Sequence, residues 1–213
     1  MLEINPEIEQ YILDHTQKED PLLQELDRET HLKILRPRMI SGHLQGTFLK
    51  TICQMFQPMR VLEIGTFTGY AAISMAQGMP EEAILHTIDN NDEIESFTRT
   101  YMEKSGIAHK INFHIGDALD VINSLDESFD LIFIDADKRQ YIEYYEAVIP
   151  KLRPGGFILT DDVLWDGKVV GPTPEGDKQT LGIKSFNDHV QQDQRVENLI
   201  LPIRHGLMMI RKK

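Results

Sequence analysis

From residue 61 onward, short strand-like segments alternate with longer helical ones. The segment 129–134 is nearly all apolar, as expected for a strand that is covered on both faces. Strands that alternate with helices of about 10–15 residues predict a parallel sheet with helices on both of its faces. The predicted strands are 61–64, 83–88, 110–115, 129–134 and 156–160, and the predicted helices are 69–79, 92–105 and 142–152.

Before the first strand, the pattern predicts three additional helices. The first covers 7–13 and the third covers 43–56. The second begins at Pro21 and runs towards Leu35, because Asp20 supplies a helix cap and the proline fits the first turn.

After the last parallel strand, the pattern changes to that of a hairpin. Two strand-like segments, 196–201 and 207–210, flank a turn at 202–206. We therefore expect an α/β fold: a Rossmann-like, doubly wound, mostly parallel seven-stranded sheet with a C-terminal antiparallel hairpin and extra N-terminal helices. The length of 213 residues fits a single domain, with 1–57 as a helical cap and 58–213 as the core.

Composition and charge narrow the class of protein. The chain has 41% hydrophobic and 26% charged residues, which is typical of a globular protein. Its net charge of −12 disfavours a protein that coats a nucleic-acid duplex but suits cationic ligands and metal ions. Cys53 is the single cysteine, so no intramolecular disulfide forms. With no secretory signal pattern at its start and no long apolar run, the chain is expected to be cytoplasmic.

The first strand leads into a turn with two glycines, Gly65 and Gly69, spaced G-x-x-x-G. A dinucleotide site uses G-x-G-x-x-G, so that the backbone can approach a pyrophosphate. The Glu63 carboxylate would oppose a pyrophosphate but suits an ammonium or sulfonium group. The alternative is a tight strand-to-helix turn that binds no ligand.

Acidic residues also follow the second and third strands. Asp89 lies at the end of the second strand, about 20 positions after the glycine turn, where a carboxylate commonly accepts hydrogen bonds from ribose hydroxyls. The segment 90–92 could instead cap the next helix. Asp117 follows the third strand and could reach an adenine amino group or act as a helix cap.

Carboxylates end the fourth and fifth strands as well, at Asp135, Asp137, Asp161 and Asp162. Several ionised carboxylates at one edge of a sheet are costly without a cation, and oxygen ligands suit Mg²⁺. Side chains alternate along a strand, so Asp161 and Asp162 can point together only where the strand has ended. The alternative is a solvated acidic loop.

The sequence patterns that mark several other kinds of site are absent from this chain. The histidines show no H-x-x-x-H spacing and Cys53 has no cysteine partner, which disfavours a zinc site. The G-x-S-x-G elbow of acyl transfer and the P-loop of nucleotide hydrolysis are both absent.

Together these residues resemble the cation-dependent class I S-adenosylmethionine O-methyltransferases, the family of the catechol and caffeoyl-coenzyme A O-methyltransferases. The resemblance extends from about Met39 to the C-terminus, and the segments 135–138 and 164–165 are specific to this family. The matching stretches are 61–70, 116–119, 129–138, 154–156 and 161–165.

The resemblance implies methyl transfer from S-adenosylmethionine to a hydroxyl of a small aromatic acceptor, a divalent cation such as Mg²⁺ that activates the acceptor, and a homodimer. It assigns Asp135, Asp161 and Asp162 to the metal, and Lys138 to the general base, with Asp135 beside it in catalysis. The implied cofactor-binding residues are Met39, Ser41, Glu63, Gly65, Thr66, Gly69, Tyr70, Asp89, Asn90, Asp117, Ala118 and Asp135.

The chain departs from the family pattern in two places. The family usually has Asp-Asn at the end of the fifth strand, whereas the second residue here is Asp162, which adds negative charge for a cation. Ala71 stands where the family often has a serine near the cofactor carboxylate.

For Lys138, the alternative to the role of a general base is a salt bridge with Asp137 or Glu143.

Some features keep two interpretations. Trp165 and Tyr141 could form the walls of an acceptor pocket or belong to ordinary packing, and the Gly- and Pro-rich segment 166–182 could be a lid or a surface loop.

The rival functions are an NAD-dependent oxidoreductase, a non-catalytic cofactor-binding module, and methylation of a hydroxylated tRNA base. The last would need a local basic patch, for which the candidates are Lys33, Arg36, Arg38 and Lys50.

Overall fold

The computed structural model describes residues 5–213, in which seven strands form one sheet. The strands are β1 (Arg60–Ile64), β2 (Ile84–Asp89), β3 (Ile111–Ile115), β4 (Phe129–Ile134), β5 (Leu152–Thr160), β6 (Val196–Leu201) and β7 (Leu207–Lys212). Their order is β3-β2-β1-β4-β5-β7-β6. The pairs β1–β4, β4–β5 and β2–β3 are parallel, and β7 is antiparallel to β5 and β6. The predicted Rossmann-like sheet with its C-terminal hairpin is confirmed.

Eight α-helices lie within the same described residues. They are α1 (Pro6–Asp14), α2 (Pro21–Lys33), α3 (Gly42–Phe56), α4 (Tyr70–Gly78), α5 (Glu95–Lys104), α6 (Ala118–Ser124), α7 (Tyr141–Val148) and α8 (Lys178–Gln192). The three N-terminal helices are confirmed, and α2 begins as predicted, with Asp20 accepting a hydrogen bond from the Leu22 amide. None of the helices described has the length and apolar character needed to cross a membrane.

One compact unit includes residues 61–64 and 118–213. At its centre, β4 is paired with β1 on one side and β5 on the other, and its residues 131–134 are almost fully buried. The backbone pairing continues one residue past the strands, because the Asp135 amide donates to the Ile64 carbonyl (2.9 Å) and the Asp161 amide to the Ile134 carbonyl (3.0 Å). This pairing sets the position of both aspartates.

A second compact unit includes residues 5–60 and 65–117. Its helices α3 and α4 pack closely at two glycines. A Cβ on Gly46 would lie 2.5 Å from a Tyr70 ring carbon, and one on Gly78 would lie 2.3 Å from the Lys50 carbonyl. The division into a helical cap 1–57 and a core 58–213 stays a prediction.

Two helices, α6 and α8, are missing from the prediction. The prediction of an irregular segment at 166–182 is wrong from residue 178 onward, because α8 begins there. Gly182 suggests a loop but lies within the helix, where a Cβ would be 2.4 Å from the Lys138 carbonyl. Glycine at this position lets α8 pack directly on the short 3₁₀ turn Lys138–Gln140. For α6, seven residues are too few for a helical period to be visible.

Candidate active site

Three aspartates at the ends of β4 and β5 form a carboxylate cluster. Asp135 follows β4, and Asp161 and Asp162 follow β5. One carboxylate oxygen of each lies within 4.8 Å of those of the other two. Asp161 is buried, whereas Asp135 and Asp162 are partly exposed. The structure therefore brings together the three residues predicted as metal ligands.

Lys138 reaches this cluster from the 3₁₀ turn after β4. Its Nζ lies 2.8 Å from Asp135 Oδ1 and 2.8 Å from Asp162 Oδ2, and its side chain is 8% exposed. Asp137 pairs instead with Arg139, whose Nε donates to Asp137 Oδ1 at 2.8 Å. The ion pairs of Lys138 are thus with the cluster and not with Asp137 or Glu143.

The charges around Lys138 decide its protonation. Burial by itself lowers the pKa of Lys138, but attraction by the carboxylates of Asp135 and Asp162 outweighs burial and raises this pKa well above its usual value. The lowered pKa expected for a general base is therefore not a property of the chain's own charges. It would require the negative charge of Asp135 and Asp162 to be neutralised by another cation.

The cluster fits a hard divalent cation by its chemistry. All three donors are carboxylate oxygens, the ligand type that Mg²⁺ prefers. Oxygens on opposite sides of Mg²⁺ are about 4 Å apart, given Mg–O distances of about 2.1 Å. Separations within 4.8 Å therefore need small side-chain adjustments. Asp135, Asp161 and Asp162 are the residues that could hold the ion.

The turn after β1 has an unusual backbone. Gly65 and Gly69 have φ values of +104° and +88°, in the region that glycine adopts readily. Phe67 between them has φ +47°, which is costly for a residue with a side chain. Hydrogen bonds hold it: its amide donates to Asp89 Oδ2 (2.7 Å), and its carbonyl accepts from Thr98 Oγ1 (2.9 Å).

Asp89 organises the end of β2. One of its oxygens accepts from the Phe67 amide, and the other accepts from the Asn91 amide at 2.9 Å. Asn91, one of the residues predicted as a cap, caps the following 3₁₀ turn by accepting from the Glu93 amide at 3.1 Å. Each oxygen of Asp89 keeps a second lone pair, so the carboxylate can still accept from a ribose hydroxyl.

Three further predicted cofactor residues are buried. Glu63 lies in β1 with 0% of its surface exposed. Thr66 Oγ1 lies 2.5 Å from Thr87 Oγ1. The Tyr70 hydroxyl donates to Glu19 Oε1 at 2.5 Å, so its side chain is engaged by the N-terminal region.

The remaining predicted cofactor residues occupy loop and helix-end positions. Ser41 is buried directly before α3, and Asp117 is exposed directly before α6, which begins at Ala118. Met39 is 56% exposed on a 3₁₀ turn, and Asn90 is exposed after β2. The position of Asp117 is compatible with both of its interpretations.

The two aromatic candidates differ. Tyr141 is fully buried, its hydroxyl donates to the Asp161 carbonyl (3.2 Å), and its ring meets the edge of Phe186. Tyr141 therefore belongs to the packing that supports the cluster and does not form a pocket wall. Trp165 is partly exposed, has φ +42°, and lies with its ring 5.6 Å from Lys168 Nζ.

Comparisons with known proteins place the chain in a family. A family model described as O-methyltransferase matches residues 13–213. The "Probable caffeoyl-CoA O-methyltransferase 2" of Dictyostelium discoideum is 31% identical over 99% of this chain and 94% of its own length.

Solved structures give the same result. An S-adenosylhomocysteine-bound methyltransferase of Podospora anserina has a TM-score of 0.91 and 26% identity, covering 100% of this chain and 98% of its own. An O-methyltransferase of Streptomyces achromogenes in complex with S-adenosylmethionine has a TM-score of 0.90 and 26% identity, covering 100% of both chains. The chain belongs to the O-methyltransferase family and is an S-adenosylmethionine-dependent O-methyltransferase.

Proposed function

We propose that this enzyme methylates a hydroxyl of a small phenolic acceptor of the catechol or caffeoyl type, and that a divalent cation held by Asp135, Asp161 and Asp162 activates that hydroxyl. The observation that carries the proposal is the carboxylate cluster, with its oxygens within 4.8 Å and Lys138 2.8 Å from two of its members. An acceptor with two vicinal hydroxyls matches such a centre, because both oxygens can approach one cation.

Each part of the cluster has a role in this proposal. Bound there, a cation such as Mg²⁺ supplies Lewis-acid charge that favours the ionised form of an acceptor hydroxyl. Asp135, Asp161 and Asp162 would hold and orient the ion. Neutralisation of their charge would lower the pKa of Lys138, so that its ammonium loses a proton to solvent and the neutral Nζ, which lies 2.8 Å from two of these carboxylates, can accept the proton of the acceptor hydroxyl. Much of the rate comes from holding the two reactants together, which is worth up to about 7–11 kcal/mol.

The glycine turn and the ends of β2 and β3 would bind the cofactor. We assign the turn around Gly65 and Gly69 to backbone contacts, Asp89 to the ribose hydroxyls, and Asp117 with Ala118 to the adenine. The carboxylate of Glu63 suits the cationic part of S-adenosylmethionine. These assignments rest on the family resemblance. The strained backbone at Phe67, held by Asp89, further supports those of the turn and of Asp89, since such strain is retained at functional sites.

Acceptor contacts and assembly are further parts of the proposal. Trp165 follows Asp162 by three residues and is partly exposed, so it is the candidate for a wall beside an aromatic acceptor. A homodimer is proposed from the family resemblance, and the exposed Leu32 and Leu35 at the end of α2 supply apolar surface. A cytoplasmic location stays a prediction.

A matched set of acceptors tests the proposal. With isotope-labelled S-adenosylmethionine and Mg²⁺, we expect methyl transfer to catechol and to caffeoyl-coenzyme A, and none to phenol, which lacks the second hydroxyl. Bulk tRNA is the control for the rival function on a hydroxylated base. Labelling of tRNA with no labelling of either catechol compound would contradict the proposal.

A further inference from the structure

The residue after Asp161 has a backbone conformation that its neighbours must hold in place. Asp162 has φ +62°, in the left-handed region, which costs more for a residue with a side chain than for glycine, although aspartate adopts it more readily than most. In this conformation its carboxylate lies 2.8 Å from Lys138 Nζ and within 4.8 Å of the other two aspartates. Relaxation to a negative φ would redirect the carboxylate. Such strain persists only where the surroundings fix it.

Side chains from two helices fix the carbonyls on either side of Asp162. The Tyr141 hydroxyl on α7 donates to the Asp161 carbonyl at 3.2 Å. On α8, Asn187 Nδ2 donates to the Val163 carbonyl at 2.8 Å. The Val163 amide donates in turn to the Gly206 carbonyl at 3.0 Å. The peptide unit before Asp162 is therefore held through the Asp161 carbonyl, and the unit after it through the Val163 amide. Asn187 holds the next peptide unit, through the Val163 carbonyl.

Asn187 makes one specific polar contact here. Its Oδ1 is buried, and no hydrogen-bond donor reaches it within residues 5–213. The contact with Val163 is thus the one that a substitution of the amide would remove. The Val163 carbonyl would then lose its side-chain donor in a place where Val163 itself is 0% exposed.

The position of α8 does not depend on Asn187. Ile183, Phe186 and Val190 on the same helix are almost fully buried, and Gly182 packs against the Lys138 carbonyl, so contacts other than that of Asn187 hold α8. A change at Asn187 should therefore leave the helix in place while removing one of the hydrogen bonds that hold the turn; the Val163 amide keeps its bond to Gly206, and the Asp162 carbonyl keeps its bond from the Trp165 amide.

We propose that Asn187 is a positioning residue for the cation centre: it holds the Asp161–Val163 turn so that Asp162 can act as a ligand. This inference rests on the proposed function, because it concerns the same centre. Partners in the outer shell of a metal site typically change metal affinity by about 10–100-fold when they are removed.

The test compares Asn187→Leu, which keeps the approximate size but has no donor, with Val190→Ala as the matched control. Val190 is 1% exposed on the same helix, so its truncation should lower stability without touching the turn. In calorimetry with Mn²⁺ and saturating S-adenosylhomocysteine, we expect the Mn²⁺ Kd to rise by about 10–100-fold for Asn187→Leu. Val190→Ala should keep the wild-type Kd. If Asn187→Leu does not fold, Asn187→Ser is the second variant, since its hydroxyl is too short to reach Val163.

Crystal structures of the wild type and the Asn187 variant give an independent readout, the φ angle of Asp162. We expect a positive φ in the wild type and a negative or mixed φ in the variant. Failure of the wild type to bind Mn²⁺ would instead overturn the cation centre itself, and the φ angle would still decide the positioning role. An Asn187 variant with wild-type Mn²⁺ affinity and an unchanged Asp162 would overturn the inference.

Discussion

Asp135→Ala is expected to reduce methyl transfer to a catechol by at least about 100-fold, because a Lewis-acid contribution is worth several kcal/mol and each 1.4 kcal/mol is a factor of ten. The substitution removes one of the three carboxylates, and one of the two that ion-pair with Lys138 at 2.8 Å. The Kd for Mn²⁺ should rise strongly. Binding of S-adenosylhomocysteine, measured by calorimetry, should largely survive.

Asp137→Asn is the matched control for this prediction, because asparagine can keep the cap that Asp137 gives the 3₁₀ turn of Lys138 by accepting from the Arg139 amide at 3.1 Å. Asp137 lies two positions along the chain, and its carboxylate pairs with Arg139 rather than with the cluster. We expect near wild-type turnover and Mn²⁺ affinity. Equal losses in the two variants would show that the segment as a whole, and not the cluster carboxylate, is required.

Lys138→Ala is expected to lower kcat by about 10²–10⁴-fold, the usual contribution of a general base. In contrast to Asp135→Ala, it should not weaken cation binding, because it removes a positive charge that lies 2.8 Å from two of the carboxylates. Cofactor affinity should be nearly unchanged. Steady-state kinetics and Mn²⁺ calorimetry on the same preparation separate these effects.

The Lys138→Arg variant separates a base from a fixed charge. A guanidinium stays protonated, so arginine should not rescue turnover if Lys138 accepts a proton. Arg139→Ala is the control, since this neighbouring cation pairs with Asp137 outside the cluster. Recovery of most activity by Lys138→Arg would mean that the role is electrostatic. If kcat of Lys138→Ala fell by only a few-fold, Lys138 would act as an ion-pair partner of the carboxylates and not as the base.

The fold could be predicted because the pattern that indicates it, apolar strand segments alternating with helical ones, is local and repeats along the chain. The apolar run 129–134 could be recognised as a central strand, and β4 is indeed paired on both sides. The carboxylate cluster was predictable for a related reason, since the ends of neighbouring parallel strands lie at one edge of a sheet. The expectation that Asp161 and Asp162 lie beyond their strand is likewise met, because β5 ends at Thr160.

The features that could not be predicted from the sequence depend on contacts between residues that are far apart in the chain. Gly182 suggests a loop, yet it lies in a helix because a neighbouring carbonyl leaves no room for a side chain. The raised pKa of Lys138 follows from the carboxylates brought to it by the fold, which outweigh burial. The role of Tyr141 in packing, and that of Asn187 beside Val163, arise from side chains far apart in sequence. Periodicity carries no information about such pairs.

The dependence of methyl transfer on a divalent cation tests the central claim most directly. The initial rate of labelled methyl transfer to catechol would be measured with Mg²⁺, after removal of the ion with excess chelator, and after its restoration. The three-carboxylate centre predicts a rate near background in chelator and full recovery when the cation is returned. Undiminished turnover in excess chelator would contradict it.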